Sequence, residues 1–189
     1  MSAVSVVIVN WNAGSALGAC LASLAASEPA NGPLEVFVVD NGSADGSQAA
    51  AREASPPVTL IQNPDNRGFA HAANQALRVA RGELALLLNP DVVLAPATLR
   101  RLVTFMNDHP DVAVAGPEIL NADGSRQGSA RRAPSPWTGL FGRSSLLTRV
   151  FPDNPWSRRE LPGLFHAGDE PLEVDWVAGA CFMVRRSAW

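Results

Sequence analysis

One stretch decides the fold: ELALLLNPDVVL, at residues 83–94. Its unbroken apolar run is typical of a strand that is buried on both faces of a parallel sheet. Pro90 lacks a backbone N–H and fixes its own φ, so the strand must end there. Ligands of open α/β sheets bind at the carboxyl ends of central strands. Asp91 is therefore predicted at the mouth of a crevice, where its oxygens could hold a divalent cation.

Two further strands end in the same way. The mostly apolar residues 35–39 (EVFVV) lead into DNGSADGS at residues 40–47, and the mostly apolar residues 4–9 (VSVVIV) lead into NWN at residues 10–12. Asn, Asp and Ser also cap ordinary strand-to-helix turns, and for a single cluster that explanation is the better one. Three clusters at corresponding strand ends favour a ligand site instead, because capping needs no carboxylate after a proline.

Strand and helix patterns alternate up to residue 115. This alternation predicts an α/β fold with a doubly wound, mostly parallel, Rossmann-like sheet. It stops in the Pro-rich residues 129–171, and regular structure returns from Glu173 as a small antiparallel extension. We expect one domain over residues 1–189, divided into halves at 1–115 and 116–189.

A further segment, NRGFAHAAN, spans residues 66–74 and opens a helix predicted to run to about Arg81, with Gly82 as its cap. Gly68 permits a close backbone approach, and the N–H groups of the first helical turn suit an anion. Arg67 could pair with a diphosphate. Asn74 is predicted to face inward with Phe69, so its amide should be hydrogen-bonded. A bond to the preceding loop and a bond to a ligand are equally good explanations.

Composition excludes several classes of protein. Hydrophobic residues make up 47% of the chain, as in a globular domain, and no apolar run is long enough to cross a membrane. A net charge of −3 argues against nucleic acid as a partner. No signal-peptide pattern opens the chain, which predicts a cytoplasmic location. Cys20 and Cys181 are too few for a disulfide framework and are expected to be buried thiols.

The charge is unevenly distributed. Residues 1–120 contain 6 Arg and 11 acidic residues, whereas residues 121–189 contain 9 Arg and 7 acidic residues. The arginine-rich part is compatible with a peripheral contact at the inner face of a membrane. An ordinary solvated surface is the commoner explanation for such a balance.

Four of these motifs together resemble the family 2 glycosyltransferases of the GT-A fold, and bacterial rhamnosyltransferase-like members most of all. Each motif alone is weakly specific, but four in this order and spacing are strongly specific, and the similarity covers essentially the whole chain. The motifs are Val4–Asn12, Val39–Ser43, Asn66–Ala70 and Leu88–Asp91.

The resemblance implies a reaction and its participants. It implies inverting transfer of a sugar, with rhamnose as a candidate, from a dTDP- or UDP-linked donor, usually with Mg²⁺ or Mn²⁺. The acceptor would be a cell-surface polysaccharide or a lipid-linked acceptor. The half at 1–115 would bind the nucleotide, and the half at 116–189 would form the acceptor side.

The resemblance also implies roles for single residues. Val9 and Trp11 would flank the base, with Trp11 stacked on it. The whole nucleotide-binding set is Val9, Asn10, Trp11, Asp40, Asn41, Arg67, Gly68, Asn74 and Asn89. Residues 89–91 match the family's Asp-x-Asp element with Asn in the first place, which leaves Asp91 as the metal ligand. The acceptor side would include Trp176, Gly179 and Ala180.

The family's general base is expected in an acidic segment beyond Trp189, and Asp175 does not match its position. The chain is thus expected to be a C-terminally incomplete catalytic domain. Two rivals remain open: a module that binds nucleotide sugars without turnover, and a sugar nucleotidyltransferase. The second would carry a Gly-rich signature with a basic residue after the first strand, where this chain has NWNAG at residues 10–14. A dinucleotide oxidoreductase is disfavoured, since no Gly-x-Gly-x-x-Gly motif follows that strand.

Overall fold

The computed structural model of the chain describes residues 3–28, 32–131, 133 and 170–189. The chain forms two compact units, one of Met1–Ala115 with Gly179–Trp189 and the other of Gly116–Ala178. Residues 179–189, which the sequence analysis grouped with the second half, belong to the first unit. Among the described residues, no helix has both the length and the apolarity of a membrane span.

The first unit is built on a six-stranded sheet. Its parallel strands are β1 (Val4–Asn10), β2 (Leu34–Asn41), β3 (Thr59–Asn63) and β4 (Leu84–Leu88). Two strands run antiparallel, β5 (Val114–Ala115) and β8 (Cys181–Arg185). The spatial order is β3-β2-β1-β4-β8-β5. The mostly parallel α/β sheet with an antiparallel extension is therefore confirmed.

Helices cover both faces of this sheet. One face packs against α1 (Ala16–Ala25), α2 (Ala49–Arg52) and α4 (Thr98–Asp108), and the other packs against α3 (Phe69–Val79). Alternate residues of each strand enter the two cores, as Val6 and Val7 do in β1. The buried face of α4 is Leu99, Leu102, Val103 and Met106, a spacing of three and four residues that fits the helical repeat.

The helix after Gly68 ends earlier than the sequence predicted. Ala80 has extended backbone angles, and the helix stops at Val79 rather than near Arg81. Gly82 is not a left-handed cap: its N–H donates to Ser5 Oγ at 2.9 Å, and a Cβ there would lie 2.6 Å from the Ser5 nitrogen. The glycine is needed for close packing of two chain segments.

Two consecutive arginines join β8 to helix ends. The Arg185 guanidinium donates to the carbonyl oxygens of Met106 and His109 at the end of α4, and Arg186 donates to the carbonyl of Ala80 after α3. Terminal helix carbonyls have no partner inside the helix, and cations near them interact favourably with the helix dipole. The pair thus ties β8 to helices on both faces of the sheet.

The second unit contains a two-stranded antiparallel sheet of β6 (Ala130–Arg131) and β7 (Trp176–Val177). A turn is present at residues 121–124: the Gly124 N–H donates to Asn121 O at 2.9 Å, and an isolated bridge pairs Leu120 with Arg126. Most of the Pro-rich stretch predicted at 129–171 lies outside the described residues.

Candidate active site

The carboxyl ends of β1 and β2 meet in a buried polar cluster. Asn10 lies opposite Asp40 in the parallel register, and its Nδ2 donates to Asp40 Oδ1 at 2.8 Å and to Ser47 Oγ at 2.8 Å. Asp40 is only 3% exposed, and its second oxygen accepts the Ser43 N–H at 3.3 Å. The Asp40 carboxylate is therefore held in one orientation below the surface of the strand ends.

The loops that follow β1 and β2 are bonded to each other. The Asn12 N–H donates to Ser43 Oγ at 3.0 Å, and the Ala44 N–H donates to Asn12 Oδ1 at 2.8 Å. The Gly14 N–H donates to Asp45 Oδ2 at 2.7 Å. Hydrogen bonds from Ser47, and then from Gly14, hold the pKa of Asp45 below its ordinary value of 3.8. The two loops thus form one fixed surface.

Trp11 stands on this surface with 55% of its area exposed, while the neighbouring Val9 is buried in the core. A large aromatic side chain that stays in solvent offers a flat face on which a base can stack. This is the position expected of Trp11, and its stacking role stays a prediction.

Asn41, the last residue of β2, forms hydrogen bonds with the loop between β3 and α3. Its Oδ1 accepts from Asn63 Nδ2 and from the Arg67 N–H, each at 3.2 Å. Its Nδ2 donates to Asn66 Oδ1 at 2.8 Å. All these partners belong to the protein, so Asn41 fixes the loop that carries Arg67 and Gly68. A direct contact of Asn41 with the nucleotide stays a prediction.

The same loop packs against Gly42. Gly42 has a φ of +78°, and a Cβ there would lie 2.8 Å from the Asp65 Cα. Arg67 is exposed and pairs with Asp65 through its Nε at 3.2 Å. Gly68, at φ +82°, precedes the first residue of α3 and gives the helix no side-chain cap. A guanidinium and uncapped N–H groups therefore lie together at this helix start.

The inward orientation predicted for Asn74 is wrong, and so is that of Phe69, because both side chains are exposed. Gln75, which was not among the residues predicted from the sequence, makes the hydrogen bonds to the preceding loop that were expected of Asn74. Its amide and that of Asn63 bond reciprocally, with Asn63 Nδ2 donating at 2.7 Å and Gln75 Nε2 donating at 2.9 Å. A nucleotide contact of Asn74 stays a prediction.

The end of β4 has a different construction. The Asn89 N–H donates to Ala180 O at 2.8 Å, and Asn89 O accepts the Val92 N–H at 3.2 Å. Asp91 is exposed, and in the described part of the chain its carboxylate makes no hydrogen bond or ion pair. Its oxygens are thus open to a ligand from solvent.

Two buried thiols lie beneath this strand end. Cys20 Sγ donates to Asn89 O at 3.7 Å, and Cys181 pairs with Leu88 across the sheet. Burial, and to a smaller extent the Asp91 carboxylate, raises the pKa of Cys20 to about 12. Burial, and then Cys20, raises the pKa of Cys181 to about 12 as well. Both thiols are therefore protonated near neutral pH and are poor metal ligands.

Asp91 fits a metal that is shared with a ligand. Of the residues described, no three His, Cys, Asp or Glu side chains come together as a metal-binding group. Mg²⁺ is commonly held by one or two carboxylates together with phosphate oxygens and water. A metal at Asp91 would accordingly take most of its ligands from a bound diphosphate and from water.

The residues predicted for the acceptor side belong to different units. Trp176 lies in β7 of the second unit and is 41% exposed. Gly179 and Ala180 belong to the first unit, where Ala180 O holds the Asn89 N–H. Ala180 is thus joined to the end of β4, and the acceptor role of all three residues stays a prediction.

A cavity of about 510 Å³ lies away from these residues. It is lined mainly by apolar side chains, from α1, the residues after α2, and the starts of β2 and β3, among them Leu21, Leu34 and Val58. It therefore opens at the amino ends of the strands, the opposite edge of the sheet from the polar clusters.

Comparison with known proteins identifies the family. The model of glycosyl transferase family 2 matches residues 5–188. An N-acetylglucosaminyl-diphospho-decaprenol L-rhamnosyltransferase of Mycobacterium tuberculosis is 33% identical over 196 residues, which cover 97% of this chain and 62% of the relative. An N-acetylglucosaminyltransferase of Mesorhizobium japonicum is 36% identical over 118 residues, 60% of this chain and 28% of the relative. The chain spans less than two thirds of these relatives.

Solved structures agree on the fold. A mannosyltransferase from Pyrobaculum calidifontis, in complex with GDP-Man and Mn²⁺, has a TM-score of 0.58 at 30% identity, over 64% of this chain and 36% of that one. TarS from S. aureus has a TM-score of 0.57 at 24% identity, over 74% of this chain and 44% of that one. The GT-A architecture expected from the sequence is thereby confirmed.

Proposed function

This chain belongs to glycosyl transferase family 2, and on that premise we propose that it transfers a sugar from a nucleoside diphosphate to an acceptor hydroxyl with inversion. The family establishes a glycosyltransferase, so the rival reading as a sugar nucleotidyltransferase is dropped. One observation carries the proposal: four neighbouring parallel strands end in polar residues at one edge of the sheet, with an exposed aromatic and an exposed carboxylate among them.

The nucleotide lies along this edge. The base stacks on Trp11 beside Val9 and hydrogen-bonds to Asp40, whose acceptor oxygens are fixed by Asn10 and Ser43. The diphosphate lies toward Arg67 and the N–H groups that open α3, where opposite charge and helix dipole both favour it. Asn41 acts on the diphosphate indirectly, by holding the loop that carries Arg67 and Gly68.

A divalent metal, Mg²⁺ or Mn²⁺, would be held by the Asp91 carboxylate, with Asn89 two residues before it in the chain. When bound, such a metal neutralises the charge that develops on a departing diphosphate. Asp91 contributes a full charge on a support that is rigid, since Pro90 fixes the backbone and Ala180 anchors Asn89. The acceptor hydroxyl attacks the anomeric carbon on the side opposite the diphosphate, and the bond from that carbon to the diphosphate breaks. A carboxylate base, which is assigned to no residue of this chain, takes the hydroxyl proton.

Titration calorimetry with dTDP, UDP and GDP, each with and without Mn²⁺, tests the proposal. We expect the chain to bind dTDP or UDP more tightly with Mn²⁺ than without. We expect Asp91→Asn to reduce the Mn²⁺-dependent affinity by about tenfold or more. The exposed Asp111→Asn serves as a matched control because it also removes one surface carboxylate. Equal affinities with and without Mn²⁺ in the wild type and in Asp111→Asn would remove the metal from the proposal.

For the identity of the donor and the acceptor we follow the rhamnosyltransferase of Mycobacterium tuberculosis, which matches along most of this chain. The donor sugar is rhamnose, linked to dTDP or UDP, and the acceptor is a lipid-linked glycan at the inner membrane face, a location supported by the arginine-rich composition of residues 121–189. Tighter binding of dTDP-rhamnose than of dTDP-glucose tests the sugar. Co-sedimentation with vesicles that contain a polyprenyl diphosphate tests the acceptor, and equal sedimentation with vesicles lacking it counts against a lipid-linked glycan.

A further inference from the structure

The amide of Gln75, which lies on α3 and does not border the proposed nucleotide position, is connected to the residues that do. We propose that Gln75 is a positioning residue that orients Arg67 and Gly68 for the diphosphate through a relay of three asparagine side chains. The inference rests on the proposed function, because it assigns Arg67 and Gly68 to the diphosphate.

The relay begins with a closed amide pair. Gln75 Oε1 accepts from Asn63 Nδ2 at 2.7 Å, and Gln75 Nε2 donates to Asn63 Oδ1 at 2.9 Å. An amide has two donor hydrogens on one side and an acceptor on the other, so a reciprocal pair makes the orientation of each amide depend on that of the other. Asn63 is buried at the end of β3, where no bulk water can substitute for a lost partner.

The orientation then passes to Asn41. Asn63 Nδ2 also donates to Asn41 Oδ1 at 3.2 Å, and this fixes the Asn41 amide with its oxygen toward Asn63. The same oxygen accepts the Arg67 N–H at 3.2 Å. If Asn63 turned over, two carbonyl oxygens would face each other, and Asn41 would have to turn its NH₂ group toward the Arg67 N–H. The Arg67 backbone N–H, which can only donate, sets this polarity, and Gln75 supplies the two hydrogen bonds that hold the Asn63 amide in the orientation that matches it.

A second branch reaches Gly68. Asn41 Nδ2 donates to Asn66 Oδ1 at 2.8 Å, and Asn66 Oδ1 accepts the Gly68 N–H at 2.9 Å. The two branches therefore hold consecutive N–H groups, those of Arg67 and Gly68, immediately before α3 begins. A change at Gln75 is transmitted to this backbone and so to the guanidinium that extends from it.

A double-mutant cycle separates positioning from general support of the fold. Gln75→Met keeps the length of the side chain and removes both amide bonds. We expect it to weaken Mn²⁺–UDP and Mn²⁺–dTDP binding by about tenfold in the wild-type background and by less than about twofold in an Arg67→Ala background. Gln62→Met is the matched control, because Gln62 is an exposed amide on β3 that bonds Arg52 instead, and it should leave affinity unchanged.

Amide hydrogen exchange gives a readout without nucleotide. In Gln75→Met the Arg67 and Gly68 N–H groups should exchange faster, while the strand N–H groups of β1 keep their protection. Gln75→Glu retains an acceptor for Asn63 Nδ2 and should give an intermediate result, and it covers the case in which the methionine variant does not fold.

The outcomes are distinct. An equal loss of affinity in both backgrounds, or no loss in either, overturns the inference, because the effect would then not pass through Arg67. If the wild-type chain binds none of the diphosphates, the proposed function fails. Exchange then decides the relay: faster exchange at Arg67 and Gly68 in Gln75→Met supports it, and unchanged exchange refutes it.

Discussion

The ends of β1, β2 and β3 are joined by side-chain hydrogen bonds, whereas the end of β4 is positioned mainly by its backbone. In the first region Asp40 and Asn41 are buried and bonded on several sides. In the second, Asp91 is exposed, and the nearest fixed group is the backbone of Asn89. The difference separates two tasks: a preformed surface suits recognition of a rigid base, and an open carboxylate suits an ion that brings its own ligands.

The largest loss of stability is expected at Gly42, where the loop after β2 packs closely against the loop after β3. Gly42→Ala places a Cβ 2.8 Å from the Asp65 Cα at a φ of +78°. Steric overlap adds to the cost of a left-handed residue, so we expect a loss of about 4 kcal/mol in the free energy of unfolding. Gly46→Ala is the control, because its φ of +80° is similar but no atom lies within 4 Å of the added Cβ. Equal losses in urea unfolding of the two variants would contradict the role of close packing.

The next largest loss of stability is expected on replacing the buried amide of Asn41. Asn41→Leu leaves Asn63 Nδ2 and the Arg67 N–H without the oxygen that they share. We expect a loss of about 3 kcal/mol in unfolding free energy, because several groups lose their partners at once. Asn74→Leu, an exposed amide on α3, should change stability by less than about 0.5 kcal/mol. A loss in Asn74→Leu as large as that in Asn41→Leu would restore the inward orientation that the structure rejects.

A smaller effect depends on pH. The folded-state pKa of Asp45 is lowered below 3.8 by hydrogen bonds from Ser47 and then Gly14. A lowered folded-state pKa means that the carboxylate stabilises the protein above about pH 4 and that this contribution disappears as the pH falls through the folded-state pKa. The stability difference between wild type and Asp45→Asn, measured by urea unfolding, should be smaller at about pH 3 than at about pH 6. A difference that is the same at both pH values would show that the charge is not involved.

The smallest effect on stability is expected at the end of β4. Asp91→Asn removes a charge that makes no hydrogen bond in the described part of the chain, so the unfolding free energy should change by less than about 0.5 kcal/mol. Thermal or urea unfolding of the apo protein measures this directly. A loss of more than about 1 kcal/mol would mean that Asp91 supports the fold and would erase the contrast between the two regions.

The strands and the buried helix faces could be predicted because they follow local periodicity. The apolar run before Pro90 forms β4 at Leu84–Leu88, and the spacing of Leu99, Leu102, Val103 and Met106 gives the inward face of α4. The polar strand ends could be predicted too, since parallel strands bring their carboxyl ends to one edge.

The amide relay could not be predicted from the sequence. On a helical wheel Asn74 and Gln75 each lie about 130° from the centre of the apolar stripe, on opposite flanks. Which flank faces Asn63 depends on how α3 lies across the sheet, and that is a property of packing rather than of periodicity. Gly82 shows the same limit: a glycine after a helix is compatible with a cap, and only the nearby Ser5 backbone reveals the close approach.

The return of β8 into the main sheet has a consequence for how the protein is made. Arg185 at the end of β8 bonds Met106, which lies 79 positions earlier, and the next residue, Arg186, bonds Ala80, which lies 106 positions earlier. A nascent chain emerging from the ribosome therefore presents β4 as an open edge until β8 is synthesised. The apolar Leu84–Leu88 run on such an edge can pair with a neighbouring nascent chain. The residues after 180 thus determine whether the earlier strands close their own sheet or aggregate with those of another molecule.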